Sequence, residues 1–127
     1  MHTLIIIING LPAVGKTTLA RKLAKDLSLP LICKDDIKEA LFDALGIADR
    51  EWAIKLGLAS VETLFRLLDV QLQARLPGVI IENAFWPEHH HARMTGVIEQ
   101  YHASALQVWC TAPLEVTYAR ELARCAS

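Results

Sequence analysis

The stretch Gly10-Leu11-Pro12-Ala13-Val14-Gly15-Lys16-Thr17-Thr18 decides the fold of this chain. It satisfies the pattern G-x-x-x-x-G-K-[ST], a loop that binds phosphate through its backbone amides. Residues 4–8 before it form a short β-branched run without alternation, which predicts a buried strand. Apolar residues recur at helical spacing after it, which predicts a helix. The motif therefore stands in the strand-loop-helix context that it requires.

Each residue type in the loop has a chemical reason. Gly10 and Gly15 let the backbone turn tightly and bring its N–H groups close to an anion, and the positive end of the following helix adds its dipole. Lys16 can reach the β- and γ-phosphates, and the hydroxyl of Thr17 can bind Mg²⁺. We therefore expect residues 10–18, including Leu11, Pro12, Ala13, Val14 and Thr18, to bind a nucleotide.

Length and composition restrict the class of protein. A chain of 127 residues predicts one domain, and 53% hydrophobic residues fit strands that are covered on both faces. No apolar run approaches the ~20 residues of a membrane span, and nothing resembles a signal peptide. The formal charge of −1 gives no general attraction to nucleic acid or membranes. Three widely spaced cysteines indicate free thiols and a reducing, cytoplasmic setting.

The remaining chain alternates between strand and helix patterns. Strands are predicted over 31–33, 79–81 and 105–110, and helices over 36–45, 49–75 and 89–101, with a last helix after Pro113. Asp36 and Glu39 have capping-box spacing, so Asp36 is predicted to cap its helix, and Asp49 caps the next one. This alternation predicts an α/β fold with a parallel sheet, in which active groups gather at the carboxyl ends of the strands.

Two carboxylates follow predicted strands. Asp35 could accept a proton from a substrate hydroxyl that attacks the γ-phosphate; the alternative is a second acid at the start of a helix, where the dipole favours it. The assignment of the cap to Asp36 leaves Asp35 without a structural duty, which favours the functional reading. Glu82 lies where an acid that holds Mg²⁺ is expected, although a solvent-exposed strand end is the alternative.

Other candidates lie near the carboxyl end of the chain. Arg120 and Arg124 are spaced i, i+4, so one of them could balance charge on a transferring phosphate, or both could form a solvated basic face. The three histidines of residues 89–91 point about 100° apart on a helix and cannot converge on one metal ion. Trp86 could stack on a substrate ring, but packing is the more common role of such a residue.

These segments together resemble the small ATP-dependent P-loop kinases. That group includes polynucleotide 5′-kinase domains, chloramphenicol phosphotransferase, zeta-toxin-like kinases and AAA-like predicted kinases. The resemblance rests on the loop, on Lys34-Asp35-Asp36 and on the segment from 79 to 94, VIIENAFWPEHHHARM. It implies a three-layer α/β/α sheet of order 2-3-1-4, with ATP and Mg²⁺ as cofactors. It also implies Lys16, Asp35 and Arg120 as catalytic residues and Thr17 as a metal ligand.

This chain departs from the group in two ways. The group usually has Asp where this chain has Glu82, and its members commonly continue into a lid and a fifth strand, whereas this sequence stops at Ser127. We therefore expect a single, C-terminally shortened domain over residues 1–127. The resemblance implies transfer of the γ-phosphate of ATP to a hydroxyl of a small molecule or nucleotide, with a nucleic-acid 5′-end less favoured. A nucleotide-binding module without transfer, or a simple NTPase, is the alternative.

Overall fold

The computed structural model describes residues 3–11, 15–84 and 87–111, and the side chains of these residues except those of 87–89. Strands and helices alternate along this part of the chain as the patterns predict. In chain order the elements are β1 (Leu4–Gly10), α1 (Lys16–Leu27), β2 (Leu31–Cys33), α2 (Lys34–Leu45), α3 (Arg50–Gln73), β3 (Gly78–Glu82), α4 (Pro87–Tyr101) and β4 (Ser104–Cys110).

The four strands form one parallel sheet in the order β2-β3-β1-β4, which confirms the predicted order. The register aligns the carboxyl ends of the strands. Glu82 at the end of β3 pairs with Ile8 on one side and with Cys33 on the other, and Gly10 pairs with Cys110. Side chains that follow these strands are therefore brought to a single edge of the sheet.

Both faces of the sheet are covered, because successive side chains of a strand point to opposite faces. Ile5 and Ile7 of β1 face a core formed with α3 and α4, and Ile6 and Ile8 face a smaller core formed with α1. The larger core consists of Ile5, Ile7, Ile32, Leu64, Phe65, Leu68, Leu72, Val79, Ile81 and Met94. The result is the three-layer α/β/α architecture. None of the helices in the described ranges is long and apolar enough to cross a membrane.

The start of α3 is fixed by the cap that the sequence predicts. The side chain of Asp49 accepts a hydrogen bond from the backbone N–H of Trp52 at 2.9 Å. The indole N–H of Trp52 donates to the carbonyl oxygen of Gly46, also at 2.9 Å, which ties the helix to the turn before it. These two bonds fix the turn between α2 and α3.

The predicted cap of α2 is wrong. The helix begins at Lys34, directly after β2, so its N-cap position is Cys33 and Asp36 lies inside the first turn. The Asp36 carboxylate instead accepts a hydrogen bond from the guanidinium of Arg21 on α1 at 3.0 Å. Because no residues separate β2 from α2, a capping box at 36–39 has no room to form. Asp35 and Asp36 therefore both occupy the first turn, and the argument that Asp36 leaves Asp35 free no longer holds.

Candidate active site

The two glycines of the loop have positive φ angles, which glycine adopts far more easily than other residues. Gly10 has φ 145° and Gly15 has φ 94°, and both values disfavour residues with a Cβ. The N–H of Gly10 donates to the side-chain oxygen of the buried Asn9 at 2.8 Å. Because Gly15 is followed directly by α1, the positive end of the helix dipole lies at the loop. Pro12, Ala13 and Val14 lie outside the described residues.

Lys16 is buried against the backbone of the loop. Only 8% of the residue is exposed, and its ammonium donates to the carbonyl oxygens of Gly10 at 2.8 Å and Leu11 at 3.3 Å. A buried cation requires such hydrogen bonds, because leaving water without them is costly. The loop therefore holds a positive charge beside the backbone that would bind the phosphates.

Glu82 is more deeply buried than the sequence predicts. It is 1% exposed, so the alternative of a solvent-exposed strand end is wrong. One carboxylate oxygen accepts a hydrogen bond from the Thr17 hydroxyl at 3.4 Å, and the other accepts one from the Cys33 thiol at 2.6 Å. A residue of the loop and a residue of β3 are thus joined at the carboxyl edge of the sheet.

The cysteines near this edge are free thiols, as predicted for Cys33 and Cys110. Burial, followed by the hydrogen bond to Glu82, raises the pKa of the Cys33 thiol from 9.0 to about 12. Burial also raises the pKa of Cys110. Cys33 is therefore neutral at ordinary pH and acts as a hydrogen-bond donor to Glu82. Cys125 lies outside the described residues.

The donor set at this edge fits Mg²⁺ that arrives with a nucleotide. Mg²⁺ is usually held by one or two protein oxygens, with phosphate oxygens and waters completing an octahedron. Thr17 and Glu82 offer a hydroxyl and a carboxylate that are already in contact. Two protein oxygens of this kind suit a site that Mg²⁺ shares with the phosphates of a nucleotide.

Asp35 lies at the start of α2, at the carboxyl end of β2. Its side chain is 59% exposed, and one carboxylate oxygen is 3.8 Å from the ammonium of Lys34. The Lys34 side chain is only 19% exposed, and burial, followed by repulsion from Lys38, lowers the pKa of its ammonium. Lys34 directly follows Cys33, whose thiol donates to Glu82, so Lys34 lies at the carboxyl edge of the sheet.

A cavity of about 820 Å³ opens beside this edge of the sheet. Its lining residues come from the starts of α2 and α4, from α3, and from the segment after β3. They are Lys34, Ile54, Gly57, Leu58, Ala59, Val61, Glu62, Asn83, Ala84, His90 and Arg93. The volume lies in the range of about 300–1,000 Å³ that is typical of small-molecule sites.

Sequence reasoning missed several of these residues. Asn83 follows β3 directly, so the rule that identified Glu82 would have found it too. Glu62 and Arg93 form a two-pronged ion pair at 2.5 and 2.9 Å, but they lie 31 residues apart and no sequence pattern links them. The sequence pattern assigns no separate role to Lys34, which precedes Asp35.

Several predicted residues belong to the part of the chain that the structure does not describe. Trp86, Arg120 and Arg124 lie outside the described residues, as does the side chain of His89. Their proposed contacts with substrate or phosphate stay predictions. His90 lines the cavity, whereas His91 on the same helix is exposed.

The comparisons with known proteins agree with this geometry. A model of the AAA domain family matches residues 5–127. The crystal structure of a protein from Chloroflexus aurantiacus J-10-fl, named a "putative kinase", is 36% identical with a TM-score of 0.93; the match covers 98% of this chain and 68% of that one. No functionally curated protein matches the chain.

Two more distant structures share the fold. A structure of the PezAT chromosomal toxin-antitoxin system of Streptococcus pneumoniae is 18% identical with a TM-score of 0.70, over 98% of this chain and 53% of that one. A sugar kinase from Janibacter sp. HTCC2649 is 17% identical with a TM-score of 0.58, over 96% of this chain and 67% of that one. The chain belongs to the AAA domain family and is a small P-loop domain of the kinase-like type.

Proposed function

We propose that this protein is an ATP- and Mg²⁺-dependent phosphotransferase that phosphorylates a hydroxyl group. The observation that carries the proposal is the contact between Thr17 of the phosphate loop and the buried carboxylate of Glu82, with a cavity for a second substrate opening beside them. The pair of Thr17 and Glu82 suits the Mg²⁺ of a bound nucleotide, and the cavity provides room for a separate phosphate acceptor.

The loop holds the donor nucleotide. Its amides and the Lys16 ammonium contact the polyphosphate of ATP, and Thr17 and Glu82 are the protein ligands of Mg²⁺. When bound, the ion neutralises charge on the β- and γ-phosphates. Because Glu82 is fixed by two hydrogen bonds, its carboxylate requires little rearrangement on binding.

Asp35 acts as the general base. It takes the proton of the acceptor hydroxyl as the new O–P bond forms, while the bond between the γ-phosphorus and the bridging oxygen of ATP breaks and ADP leaves. Its neighbour Lys34 lines the cavity, which supports a role for the Asp35 carboxylate next to a bound acceptor. Arg120 balances the charge on the phosphoryl group in transit, as the resemblance to P-loop kinases implies.

The acceptor is a small molecule or nucleotide that enters the cavity between α3, α4 and the carboxyl ends of the strands. A cavity of 820 Å³ suits a molecule of that size. The charge of −1 on the whole chain offers no attraction for a nucleic-acid 5′-end, which is therefore the less favoured acceptor.

A transfer assay with γ-labelled ATP tests the proposal. The acceptors are nucleosides, oligonucleotide 5′-ends, aminoglycosides, sugars and simple alcohols. We expect Lys16→Ala to abolish stabilisation of the fold by ATP, measured as the shift in Tm. Asp35→Asn should keep that shift and lower the transfer rate by about 10²–10⁴-fold, the usual contribution of a general base.

The two variants separate the alternatives. An unchanged ATP shift in Lys16→Ala would remove the nucleotide site. Equal loss of ATP binding and transfer in Asp35→Asn would make Asp35 a structural acid. ATP binding without transfer to any acceptor would indicate a binding module, and release of labelled phosphate to water alone would indicate a simple NTPase.

A further inference from the structure

The wall of the cavity that α3 contributes is open and, apart from Glu62, apolar. Ile54 is 54% exposed and Leu58 is 69% exposed, and both lie on the lining together with Ala59 and Val61. Large apolar side chains on a concave surface favour a ligand with an apolar body, because its burial there removes both surfaces from water. This wall therefore selects for hydrocarbon or aromatic surface.

The segment of the lining that follows β3 carries a buried donor. Asn83 is only 6% exposed, and its side-chain Nδ2 has no hydrogen-bond partner among the residues that the structure describes. Buried amide N–H groups without a partner are rare and costly in folded proteins, so each one requires an explanation. Nδ2 is itself enclosed in this structure, but Asn83 belongs to the cavity lining, so a turn of its amide group brings Nδ2 to an oxygen of a bound molecule.

The charges of the lining disfavour a cationic ligand. Arg93 is held by both carboxylate oxygens of Glu62 and lies 4.3 Å from the centre of the Phe65 ring, so this pair is neutral as a unit. Lys34 adds a positive charge to the same lining, and its nearest carboxylate, Asp35, does not line the cavity. A positively charged molecule would therefore approach an ammonium without gaining a free carboxylate.

We propose that the cavity takes an amphipathic alcohol that carries a carbonyl oxygen, and that Asn83 is the residue that selects for it. The inference rests on the proposed function and names its acceptor class. The carbonyl oxygen accepts a hydrogen bond from Nδ2 of Asn83, the apolar body packs on the α3 wall, and the hydroxyl reaches the side of the cavity formed by Lys34, whose ammonium is 3.8 Å from the Asp35 carboxylate. Asn83 is a specificity residue rather than a base.

Two probes that differ in an amide group test this selection. N-(2-hydroxyethyl)benzamide has the carbonyl, and 4-phenylbutan-1-ol has a chain of the same length without it. Binding is measured by NMR titration in the presence of Mg²⁺ and a non-hydrolysable ATP analogue, so that the readout does not depend on transfer. The quantity compared is the ratio of the two dissociation constants, because the second probe is intrinsically more hydrophobic.

We expect Asn83→Leu to shift this ratio against the amide probe by about fivefold or more, the usual size of one hydrogen bond. Asn83→Asp keeps the shape but replaces the donor with a carboxylate, and it should shift the ratio in the same direction. This near-isosteric variant keeps the test valid if Asn83→Leu does not fold. Gln107→Glu makes the same change in charge on the exposed surface of β4 and should leave the ratio unchanged.

An unchanged ratio in both Asn83 variants would overturn the inference, and so would the absence of saturable binding of the amide probe to the wild-type protein. Tighter binding of the aminoglycoside kanamycin than of the amide probe would also overturn it. The Tm shift with ATP keeps the two proposals apart. If Lys16→Ala retains that shift, the proposed function fails; if the shift behaves as expected and the ratio does not change, only the acceptor class fails.

Discussion

Glu82 at the end of β3 is one methylene longer than the Asp that P-loop kinases usually have at this position. Its carboxylate accepts hydrogen bonds from both the Thr17 hydroxyl and the Cys33 thiol. The two donors come from different elements, one from α1 and the other from β2. The carboxylate is therefore fixed in position although it is buried.

Replacing Glu82 with Gln should separate the role of the metal from that of the nucleotide. The amide keeps the volume of the side chain but loses the negative charge that Mg²⁺ requires. We expect Glu82→Gln to retain the Tm shift produced by ATP in EDTA and to lose most of the additional shift produced by Mg²⁺. The measurement is thermal unfolding with ATP, with and without the metal.

Glu99→Gln is the matched control, because Glu99 is exposed on α4. It should leave the increment from Mg²⁺ unchanged. If Glu82→Gln keeps the full increment, the metal ligand is another residue and Glu82 serves only to connect α1 with the sheet.

Single residues were predictable where a local rule was sufficient. The alternation of strand and helix patterns predicted that Asp35 and Glu82 lie at the carboxyl ends of strands, and the P-loop pattern identified the positions where Gly10 and Gly15 have positive φ. The capping rule failed at Asp36, because the distance between β2 and α2 is a tertiary property. The deep burial of Glu82 was also beyond the sequence, since its two donors come from other elements.

At the scale of elements, β3 depends on the absence of a side chain at its first residue. A Cβ on Gly78 would lie 3.0 Å from a methyl carbon of Leu29 and 3.1 Å from the backbone oxygen of Leu4. The backbone oxygen belongs to β1, next to β3 in the sheet, and cannot move aside without disturbing the pairing of the strands. Gly78 is therefore a packing requirement rather than a turn residue.

We expect Gly78→Ala to lower the free energy of unfolding by about 1–3 kcal/mol, the usual cost of overpacking a core. Gly96→Ala is the matched comparison, because a Cβ there meets nothing within 4 Å and Gly96 lies inside α4. Alanine should stabilise that helix by about 0.5–1 kcal/mol. Urea unfolding of the three proteins measures both effects, and a neutral Gly78→Ala would mean that β1 and Leu29 can move apart.

Element types and approximate bounds were predictable because each buried strand is a short run of β-branched residues. Predicted and observed strands differ by at most two residues at either end, as in β1, which continues to Gly10. The long helix α3 passes through Gly57 without interruption, because its buried face, including Leu64 and Leu68, packs against the sheet. Packing there outweighs the weak helix propensity of glycine.

The whole molecule brings together groups that no pattern links. The strand order could be predicted, because parallel strands with helical crossovers allow few arrangements and the resemblance to P-loop kinases selects one. The cavity could not be predicted from the sequence. Its lining comes from α2, α3, α4 and the segment after β3, and its depth depends on how these helices pack. Asn83 and the pair of Glu62 with Arg93 become meaningful only within that assembly.

The Cys33 thiol should report on the integrity of this assembly. It is 3% exposed, and its pKa of about 12 leaves on the order of 10⁻⁴ of the molecules as thiolate at pH 8. Reagents such as N-ethylmaleimide attack the thiolate, and reaching it requires β2 and β3 to separate at the Cys33–Glu82 contact. We therefore expect Cys33 to be labelled only through unfolding of the sheet, at a rate that rises with urea in parallel with global unfolding.

Cys110 is the internal control, because it is half-buried on β4 and should react faster in the native state. Mg²⁺ and ATP should slow the labelling of Cys33 in proportion to the stability that they add. Peptide mass spectrometry measures both thiols at once. Labelling of Cys33 as fast as Cys110, without dependence on urea, would show that β2 opens by itself and that the contact with Glu82 does not hold the carboxyl edge together.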